Sequence, residues 1–401
     1  MIKALRGMKD ILPPQNEKYL YFLKNTSKIV EKYGFEFIET PILEETALFK
    51  RSVGESSDIV GKEMYQFIDK GGNDVCLRPE GTAGVVRAFI EKKYDRQGGI
   101  YRFYYHGPMF RYERPQKGRF RQFHQFGVES FGTSSYLEDA NIILMIKEIL
   151  DFFGINYTLK LNSLGCSTCM PPYREKLMKF LDEVEAELCE DCQRRKSTNP
   201  IRVFDCKNEK CQQTLSPAPR LNQELCESCD THFNNLLKLL DGQNISYELD
   251  PNLVRGLDYY NKTAFEFISG DLGAQNAVAG GGRYDKLVSF LDGKETPAIG
   301  FAIGIERLLE MIEAPQNERE GYYFGALDEE AITPLFQAAA KQRKTDKVTL
   351  SYEKRSLKAH LKAADKANAR YCAIIGEDEL ANKQLWVKDL LEKKEEKRDL
   401  D

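Results

Sequence analysis

Residues 100–132 read IYRFYYHGPMFRYERPQKGRFRQFHQFGVESFG, and this stretch decides the fold of the larger part of the chain. Two aromatic-rich arms, 100–113 and 120–132, flank the sequence RPQKGR at 114–119, a loop that contains Pro and Gly and is too long for a two-residue turn. The pattern therefore predicts an antiparallel hairpin with a long connecting loop.

The connecting loop concentrates positive charge. Residues 111–121 hold five cations and one carboxylate, although the whole chain has a net charge of −4. Cations this close repel one another unless an anion lies among them, and the planar guanidinium group of arginine matches phosphate oxygens in a bidentate manner. The loop therefore indicates a phosphate ligand, with a solvated face of a half-buried sheet as the alternative interpretation.

The two faces of the hairpin differ because side chains on a strand alternate sides. Gln125, Gly127 and Glu129 share one face, and the first arm can bring Arg111 to the same surface. Gly127 leaves room there for a ligand. His124 points to the opposite face, so we expect it to be a structural residue and not a general base.

Length and composition limit the class of protein. The 401 residues predict two or three domains, and 42% hydrophobic with 30% charged residues is the balance of an ordinary water-soluble chain. The sequence has neither a signal-peptide pattern nor an apolar run near the roughly 20 residues that span a membrane. We expect a cytoplasmic protein with no membrane partner.

Further elements can be predicted on both sides of the hairpin. Apolar residues at helical spacing predict helices at 17–33 and 136–153, and FEFIETPIL at 35–43 predicts a strand that closes at Pro41. PAIGFAIGIERLLEMI at 297–312 predicts a strand of small residues that continues into a helix.

From Tyr322 the sequence alternates between strands and helices, which predicts a βαβαβ unit with parallel pairing. Between Lys341 and Arg370, ten Lys or Arg residues stand against three carboxylates, a basic excess that suits an RNA backbone. The charged end EKKEEKRDLD at 392–401 is predicted to be frayed.

Eight of the ten cysteines lie in a charged, mostly helical stretch, residues 166–229. They form four pairs: Cys166 with Cys169, Cys189 with Cys192, Cys206 with Cys211, and Cys226 with Cys229. Paired thiols at such spacing suit tetrahedral zinc, and four pairs could close two sites. Reduced free thiols are the alternative, and in neither case do we expect a catalytic role.

Two more stretches carry candidate ligand-binding residues. LVRGLDYY at 253–260 puts an arginine and two tyrosines just before a strand. AGGGRYDKL at 279–287 has three consecutive glycines but fits neither a P-loop nor a dinucleotide-binding fingerprint. We expect its glycines to allow close approach of a ligand or of another strand.

Taken in order, these stretches resemble bacterial histidyl-tRNA synthetases, a family of class II aminoacyl-tRNA synthetases. The resemblance runs from RGMKDILPP at 6–14 almost to the end of the chain. Residues 35–55 resemble class II motif 1, residues 105–129 motif 2, and PAIGFAIGIERL motif 3. LRPEGTAG at 77–84 resembles the loop that holds the substrate amine, and the stretches of the preceding paragraph resemble the two signatures of this family.

The resemblance implies an α+β fold. A class II catalytic domain with a mostly antiparallel sheet flanked by helices would occupy residues 1–320, interrupted at about 166–240 by a helical, Cys-rich insertion. A small α/β anticodon-binding domain would occupy 321–401. The chain stops soon after VKDLLEKK, where the family pattern continues into a further helix. A homodimer formed through motif 1 is also implied.

The implied activity is the ATP-dependent joining of L-histidine to tRNA(His), with Mg²⁺ bridging the outer phosphates. By similarity, Arg111 and Arg255 would flank the α-phosphate, with Arg255 standing where relatives place a metal ion, and Arg307 would hold the γ-phosphate. The resemblance places no protein-bound metal in the catalytic site.

The resemblance also assigns the pocket for histidine and the contacts to tRNA. Residues implied in binding histidine are Glu80, Gly81, Thr82, Arg111, Gln125, Glu129, Arg255, Tyr259, Tyr260 and Tyr284. Glu80, Thr82 and Gln125 would bind the α-ammonium, and Glu129 with Tyr260 the imidazole. Arg114, Gln116 and Lys117 would meet the tRNA acceptor end.

Two other functions can be compared with this one. A catalytically inactive paralogue would sense histidine and regulate ATP phosphoribosyltransferase, but such regulators tend to lose the ATP-binding arginines and the anticodon domain. A general RNA-binding module would not need the pocket formed by Glu80, Glu129 and Tyr260.

Overall fold

The structure is a computed structural model that describes residues 2–54, 57, 59–116, 118–254, 257, 259–270, 277–313 and 318–400. The chain forms two compact units, Met1–Ala314 and Pro315–Asp401. Each unit has its own sheet system and its own core.

The strands in the described part of the chain are Glu36–Phe37 (β1), Leu43–Glu45 (β2), Tyr65–Ile68 (β3), Asp74–Leu77 (β4), Tyr101–Phe110 (β5), Gln122–Phe131 (β6), Thr158–Ser163 (β7), Glu248–Leu249 (β8), Asn261–Ile268 (β9), Ala277–Arg283 (β10), Ala298–Gly304 (β11), Tyr322–Ala326 (β12), Val348–Leu350 (β13), Tyr371–Ile375 (β14), Gln384–Asp389 (β15) and Glu395–Asp399 (β16).

The α-helices in the same residues are Gln15–Lys32 (α1), Thr46–Val53 (α2), Thr82–Glu91 (α3), Tyr94–Gln97 (α4), Tyr136–Phe152 (α5), Met170–Val184 (α6), Glu190–Thr198 (α7), Glu209–Thr214 (α8), Glu227–Gly242 (α9), Leu287–Phe290 (α10), Ile305–Leu309 (α11), Ile332–Gln342 (α12), Leu357–Lys366 (α13) and Glu377–Ala381 (α14).

The first unit is built on an eight-stranded sheet with the order β1-β5-β6-β11-β10-β9-β7-β8. Its pairs are antiparallel except for the two at the edges, β1 with β5 and β7 with β8. The predicted hairpin is confirmed: β5 and β6 pair antiparallel from Tyr101 opposite Phe131 to Phe110 opposite Gln122.

Helices α1, α5 and α9 cover one face of this sheet. Their apolar stripes bury Phe22, Ile146 and Leu236 against Phe126 and Phe265 of the strands. Burial of this kind contributes roughly 1.5–3 kcal/mol for each large apolar side chain. The predicted helices at 17–33 and 136–153 are therefore confirmed as α1 and α5, with bounds that differ by one or two residues.

The opposite face of the sheet carries a second apolar cluster that includes the apolar side of α3. Val86 and Phe89 of this helix pack with Tyr105, Phe131 and Tyr284. Phe126 lies on the helix-covered face and Phe131 on this one, so the predicted alternation along the second arm is confirmed.

The Cys-rich stretch folds into helices α6–α9 and connecting 3₁₀ turns. Its small core contains Tyr173, Leu177, Leu181 and Ala264 together with buried cysteines. Ala264 belongs to β9, so this core continues directly onto the large sheet.

The second unit has a five-stranded sheet with the order β13-β12-β14-β15-β16. The predicted parallel βαβαβ arrangement is confirmed for β12, β13 and β14. The prediction of a frayed end is wrong for residues 395–399, because Glu395–Asp399 pairs antiparallel with Gln384–Lys388 as an edge strand. Its exposed charged side chains need no burial; backbone hydrogen bonds to β15 hold it in place, together with ion pairs such as Glu395 with Lys388 at 2.7 Å and Lys397 with Glu379 at 3.0 Å.

The predicted strand at 35–43 is also wrong in extent. Only Glu36–Phe37 pairs with the large sheet, and Leu43–Glu45 joins a separate three-stranded sheet with β4 and β3. Pro41 lies between the two short strands, where its missing N–H breaks no ladder bond.

Candidate active site

A cavity of about 940 Å³ is lined by residues from the start of α3, from the β5–β6 hairpin and from the glycine-rich strand β10. Predicted site residues that line it are Glu80, Thr82, Arg111, Gln125, Tyr259, Tyr260 and Arg307. Residues from five separate stretches of sequence therefore meet at one surface. A cavity of this volume is in the range of known ligand sites.

Glu129 lies at the back of this surface, 1% exposed, and does not itself line the cavity. The Thr82 hydroxyl donates a hydrogen bond of 2.7 Å to Glu129 Oε1, the Tyr105 hydroxyl donates one of 3.2 Å to the same oxygen, and the Tyr284 hydroxyl bonds Oε2. Burial raises the pKa of Glu129 to about 8, and these hydroxyl groups only partly oppose the shift.

Tyr105 can reach Glu129 because two glycines leave space for its ring. A Cβ atom at Gly81 would lie 2.1 Å from the ring, and one at Gly127 would lie 2.4 Å from the hydroxyl oxygen. Gly81 is thus placed as a packing position under the pocket and not on its surface. The predicted room beside Gly127 is filled by a tyrosine of the same chain.

Glu80 is held at the start of α3. Its two carboxylate oxygens accept hydrogen bonds from the backbone amides of Thr82, at 2.7 Å, and Ala83, at 2.9 Å. The carboxylate therefore occupies the position that the helix dipole favours for a negative charge. Complete burial nevertheless raises the pKa of Glu80, since desolvation outweighs the amide bonds.

Three tyrosines form an aromatic corner of the pocket. The ring centroids of Tyr259 and Tyr260 are 4.7 Å apart, and those of Tyr259 and Tyr284 are 5.6 Å apart. The buried hydroxyl of Tyr259 and the buried Oε1 of Gln125 have no hydrogen-bond partner in the described part of the chain. Because buried polar atoms are nearly always paired, these two atoms indicate where a polar ligand belongs.

Arginines line a second part of the cavity, the arginine end, which contains Arg111, Arg119 and Arg307. Arg111 donates from Nε to the carbonyl of Pro79 at 2.9 Å, and Arg307 donates from Nη1 to the carbonyl of Ala277 at 3.0 Å. The pKa of Arg307 is lowered by burial first and then by the charges of Arg119 and Arg111. Guanidinium groups this close repel one another, and a bound polyanion would remove that repulsion, so they form a site for a polyanion.

Some predicted contacts lie elsewhere. Arg255 and Lys117 are outside the described residues, so the structure gives no position for either. Arg114 and Gln116 are exposed in the hairpin loop and do not line the cavity. His124 is turned toward α1, as predicted, where its ring meets Tyr19 and its Nδ1 lies 2.7 Å from Glu306 Oε1.

Sequence reasoning missed two functional candidates, Arg119 and Tyr105. Arg119 lines the cavity beside Arg307 and was grouped only with the other loop cations. The single carboxylate of the loop pairs with one of these cations, since Arg119 lies 3.0 Å from Glu113 Oε2, and Arg121 stacks over the ring of Tyr112. Strand alternation could have found Tyr105, because it pairs directly with Gly127.

Among the described residues, two groups of side chains are close enough together to hold a metal ion, and each group consists of four cysteines. The outer cluster consists of Cys166, Cys169, Cys226 and Cys229, and the inner cluster of Cys189, Cys192, Cys206 and Cys211. Neither cluster coincides with the arginine end of the cavity. None of the helices in the described part of the chain has the length and apolarity that crossing a bilayer requires.

Comparison with known proteins agrees with the geometry of the site. Residues 7–308 match the family model described as histidyl-tRNA synthetase, and residues 326–401 match the anticodon binding domain. The histidine–tRNA ligase of Nitratiruptor sp. is 65% identical over 99% of this chain and 97% of the relative. That of Sulfurimonas denitrificans is 63% identical over 98% of both.

Solved structures give the same result. Apo histidyl-tRNA synthetase from S. aureus has a TM-score of 0.85 and 36% identity, and the match covers 100% of this chain and 98% of that one. The fold and the matched domains define an aminoacyl-tRNA ligase. The chain belongs to the histidyl-tRNA synthetase family.

Proposed function

We propose that this chain activates L-histidine with ATP in the cavity of the first unit and transfers it to the 3′ end of tRNA(His). Its close relatives are named histidine–tRNA ligase, and the chain is an enzyme of that kind. The observation that carries the assignment of the pocket is the pair of unpartnered buried oxygens of Gln125 and Tyr259, two residues that line the same cavity as Glu80, Arg111 and Arg307.

Histidine would bind at the tyrosine end. Its α-ammonium group is a donor that suits Glu80, Thr82 and the unpartnered Gln125 Oε1, and its imidazole would be read by Glu129 and Tyr260, with Tyr259 and Tyr284 as walls. Glu129 already binds three hydroxyl groups, so an imidazole N–H would replace or share one of them. A pocket built on such hydrogen bonds rejects analogues without them by roughly 10⁴–10⁵, and an editing site is then unnecessary.

Activation requires the carboxylate oxygen of histidine to attack the α-phosphorus of ATP. A new O–P bond forms, the bond to the β-phosphate oxygen breaks, and pyrophosphate leaves with its electrons. Negative charge grows on phosphoryl oxygens, so positioning and electrostatic stabilisation supply most of the catalysis. Arg111 and Arg255 would stand at the α-phosphate and Arg307 at the γ-phosphate.

Mg²⁺ would supply charge neutralisation at the outer phosphates. Glu113 and Glu266 line the same end of the cavity, and both carboxylates act electrostatically on Arg307. Hard carboxylate oxygens with phosphate oxygens are the donor set that Mg²⁺ prefers, so these residues fit the ion.

Transfer would follow when the 3′-hydroxyl of the terminal adenosine attacks the carbonyl carbon of the adenylate and AMP leaves. Arg114, Gln116 and Lys117 of the hairpin loop would guide the acceptor end. The second unit would bind the anticodon, since the cations between Lys341 and Arg370 are nearly all exposed there and match an RNA backbone.

Organisation of the molecule is part of the same proposal. Residues 1–320 would form the catalytic domain with the insertion at about 166–240, and 321–401 the anticodon-binding domain. The enzyme would act as a homodimer in the cytoplasm, where charged tRNA is used. Support for a dimer comes from exposed apolar residues on the three-stranded sheet, among them Phe67 and Ile68.

A regulatory paralogue is the competing function. One protein with the same fold is described as an ATP phosphoribosyltransferase regulatory subunit/histidyl-tRNA synthetase from Bacillus halodurans, at 20% identity and a TM-score of 0.66. That likeness concerns the fold alone. Arg111 and Arg307 at the cavity, together with the anticodon-domain match, favour the ligase.

Histidine-dependent exchange of labelled pyrophosphate into ATP tests the proposal. We expect exchange in the unmodified protein, and a fall of about 100-fold in kcat/KM for ATP in Arg307→Ala, because a charged donor to the nucleotide is lost. Arg114→Ala is the matched control, with normal exchange but a raised KM for tRNA in aminoacylation. Exchange that is absent in the unmodified protein, or intact in Arg307→Ala, contradicts the proposal.

A further inference from the structure

The eight cysteines of the helical stretch converge into two separate groups of four. The pairing is nested along the sequence, since the first and last pairs form the outer cluster and the two middle pairs form the inner cluster. Within each cluster all four Sγ atoms lie within 4.8 Å of one another. The cysteines therefore meet as two sets of four and not as four independent pairs.

The distances between sulfurs match a tetrahedron around one ion. Cys166 Sγ lies 3.8 Å from both Cys169 Sγ and Cys226 Sγ, and Cys189 Sγ lies 3.8 Å from Cys206 Sγ. With Zn–S bonds of about 2.3 Å, the edge of a regular tetrahedron is about 3.8 Å. A disulfide would bring two sulfurs to about 2.05 Å, and all ten cysteines are free.

Backbone amides support the sulfurs in the same way in both clusters. In the outer cluster, the amide of Thr168 donates to Cys166 Sγ at 3.3 Å, and the amide of Cys226 donates to Cys169 Sγ at 3.1 Å. The inner cluster repeats this pattern. There the amide of Asn208 donates to Cys206 Sγ at 3.4 Å.

In the inner cluster the amide of Cys189 also donates to Cys211 Sγ at 3.2 Å, as the amide of Cys226 does to Cys169 Sγ in the outer cluster. N–H groups directed at sulfur stabilise thiolates and orient them as ligands. Cys189 and Cys226 also occupy the same local position, at the N-terminal cap of α7 and of α9, each with an extended backbone.

We propose that the outer and inner clusters each bind one structural zinc ion, two per chain. Four sulfur ligands leave no open position, so neither ion has a place for water or substrate. Iron–sulfur clusters are disfavoured because their cysteines bind different irons and stand farther apart than the sulfurs here. Nothing in the proposed ligase chemistry requires these ions, and their function is to hold the fold.

The inner zinc would fix part of the wall of the active-site cavity. Val203, Phe204, Lys207 and Gln212 line the cavity, and each lies between Cys206 and Cys211 or within three residues of one of them in the sequence. This segment has few apolar residues, so packing alone gives little stability, whereas a closed tetrathiolate site contributes directly to folding.

Arg220 connects the same wall to the segment that follows β8. Its guanidinium stacks over Phe204, donates to the carbonyl of Leu215 at 2.9 Å and bonds Asn252 Oδ1 at 2.9 Å. The inner zinc and Arg220 would together hold this segment at the cavity.

The outer zinc would close the base of the helical stretch. Cys166 lies three residues after the end of β7, and Cys226 and Cys229 lie at the start of α9, which packs on the large sheet. Backbone hydrogen bonds join Leu164 to Lys262 and Lys262 to Gly165, both at 2.6 Å. One ion there links the entry and the exit of the stretch to strand β9.

Metal analysis of the purified full-length protein tests the proposal without any substrate, so its result is independent of the ligase assignment. We expect about two zinc ions per chain, each released by titration of the thiols with a mercurial reagent. Replacement by cobalt should give the charge-transfer and d–d absorption of a tetrahedral tetrathiolate site.

Three variants assign the ions. Cys189→Ser should lose the inner zinc and retain the outer, and Cys226→Ser the reverse, leaving about one zinc in each. Cys76→Ser is the matched control, a buried cysteine of the same unit outside both clusters, and should retain two. Unmodified protein that contains no zinc and binds no cobalt overturns the proposal, as does iron in place of zinc or a zinc content unchanged in both cluster variants.

Discussion

Glu129 shows how much one residue depends on its surroundings. In a strand with an exposed face it would be an ordinary carboxylate, but here it is completely buried and binds three hydroxyl groups. Its pKa of about 8 means that the free pocket prefers a protonated carboxyl at neutral pH. An imidazole, which can both donate and accept a proton near that pH, is a matching ligand.

The raised pKa of Glu129 predicts a dependence of stability on pH. An acid whose pKa is raised on folding stabilises the native state below its unfolded pKa, near 4.5, and this contribution is lost as pH rises to about 8. Glu129→Gln keeps the shape without the charge. We therefore expect the stability of the variant, relative to the unmodified protein, to rise by up to about 1.4 kcal/mol per pH unit across that window.

Chemical denaturation of both proteins at several pH values between 5 and about 8 measures this difference. Glu36→Gln is the control for the loss of one carboxylate, because Glu36 is exposed on an edge strand. A Glu129→Gln difference that does not change with pH would show that the buried carboxyl titrates normally.

At the scale of elements, close packing in the second unit depends on one glycine. Gly325 in β12 faces the ring of His360 in α13, and a Cβ atom at Gly325 would lie 2.4 Å from His360 Nδ1. The ring is fully buried, accepts from the Tyr323 hydroxyl at 3.1 Å and donates from Nε2 to the carbonyl of Ala326 at 2.8 Å. These partners fix one neutral tautomer and leave the ring no room to move.

Gly325→Ala should therefore lower the free energy of unfolding of the second unit by about 1–3 kcal/mol, the usual cost of overpacking. Thermal unfolding of the full chain, followed by tryptophan fluorescence, reports on this unit, because the single tryptophan, Trp386, lies in it. The double variant Gly325→Ala/His360→Ala is the control, since removal of the ring removes the clash. If Gly325→Ala lowered the free energy of unfolding equally with the His360 ring present and with it removed, the steric explanation would be wrong.

The elements that were predicted wrongly share a physical cause. Residues 35–43 have the residue types of one strand, yet Pro41 divides them between two sheets. Residues 395–399 are entirely charged and exposed, so no hydrophobic periodicity marks them, and they form a strand because the edge of β15 offers unpaired backbone groups. Pairing partners distant in sequence decided both cases.

At the scale of the whole molecule, the three-stranded sheet of the first unit exposes apolar side chains. Ile42 and Leu43 are each 42% exposed, Phe67 is 46% exposed and Ile68 is 66% exposed. Side chains alternate sides along a strand, so Phe67 and Ile68 expose apolar surface on opposite faces of this sheet. Leu43 lies in the stretch that resembles motif 1, residues 35–55, and shares this sheet with Phe67 and Ile68 of β3.

The proposed homodimer would use this sheet, and we expect Ile68→Glu to dissociate it, because a buried unpaired carboxylate is costly at an interface. Sedimentation velocity at micromolar concentration measures the result. Leu391→Glu is the matched control, with a leucine that is 64% exposed in the second unit, and should leave the dimer intact. A dimer that persists in Ile68→Glu would place the interface elsewhere.

The sequence by itself determined the hairpin, its two faces, the parallel core of the second unit and the family. Those features follow from local periodicity and from ordered motifs, which residues carry regardless of their partners. Only the tertiary structure decided that Glu129 lies behind the pocket wall, that Arg119 joins Arg307, and which cysteine pairs meet. Each of these depends on the distance between residues far apart in the chain. The packing of helices and strands sets that distance and leaves no pattern in the local sequence.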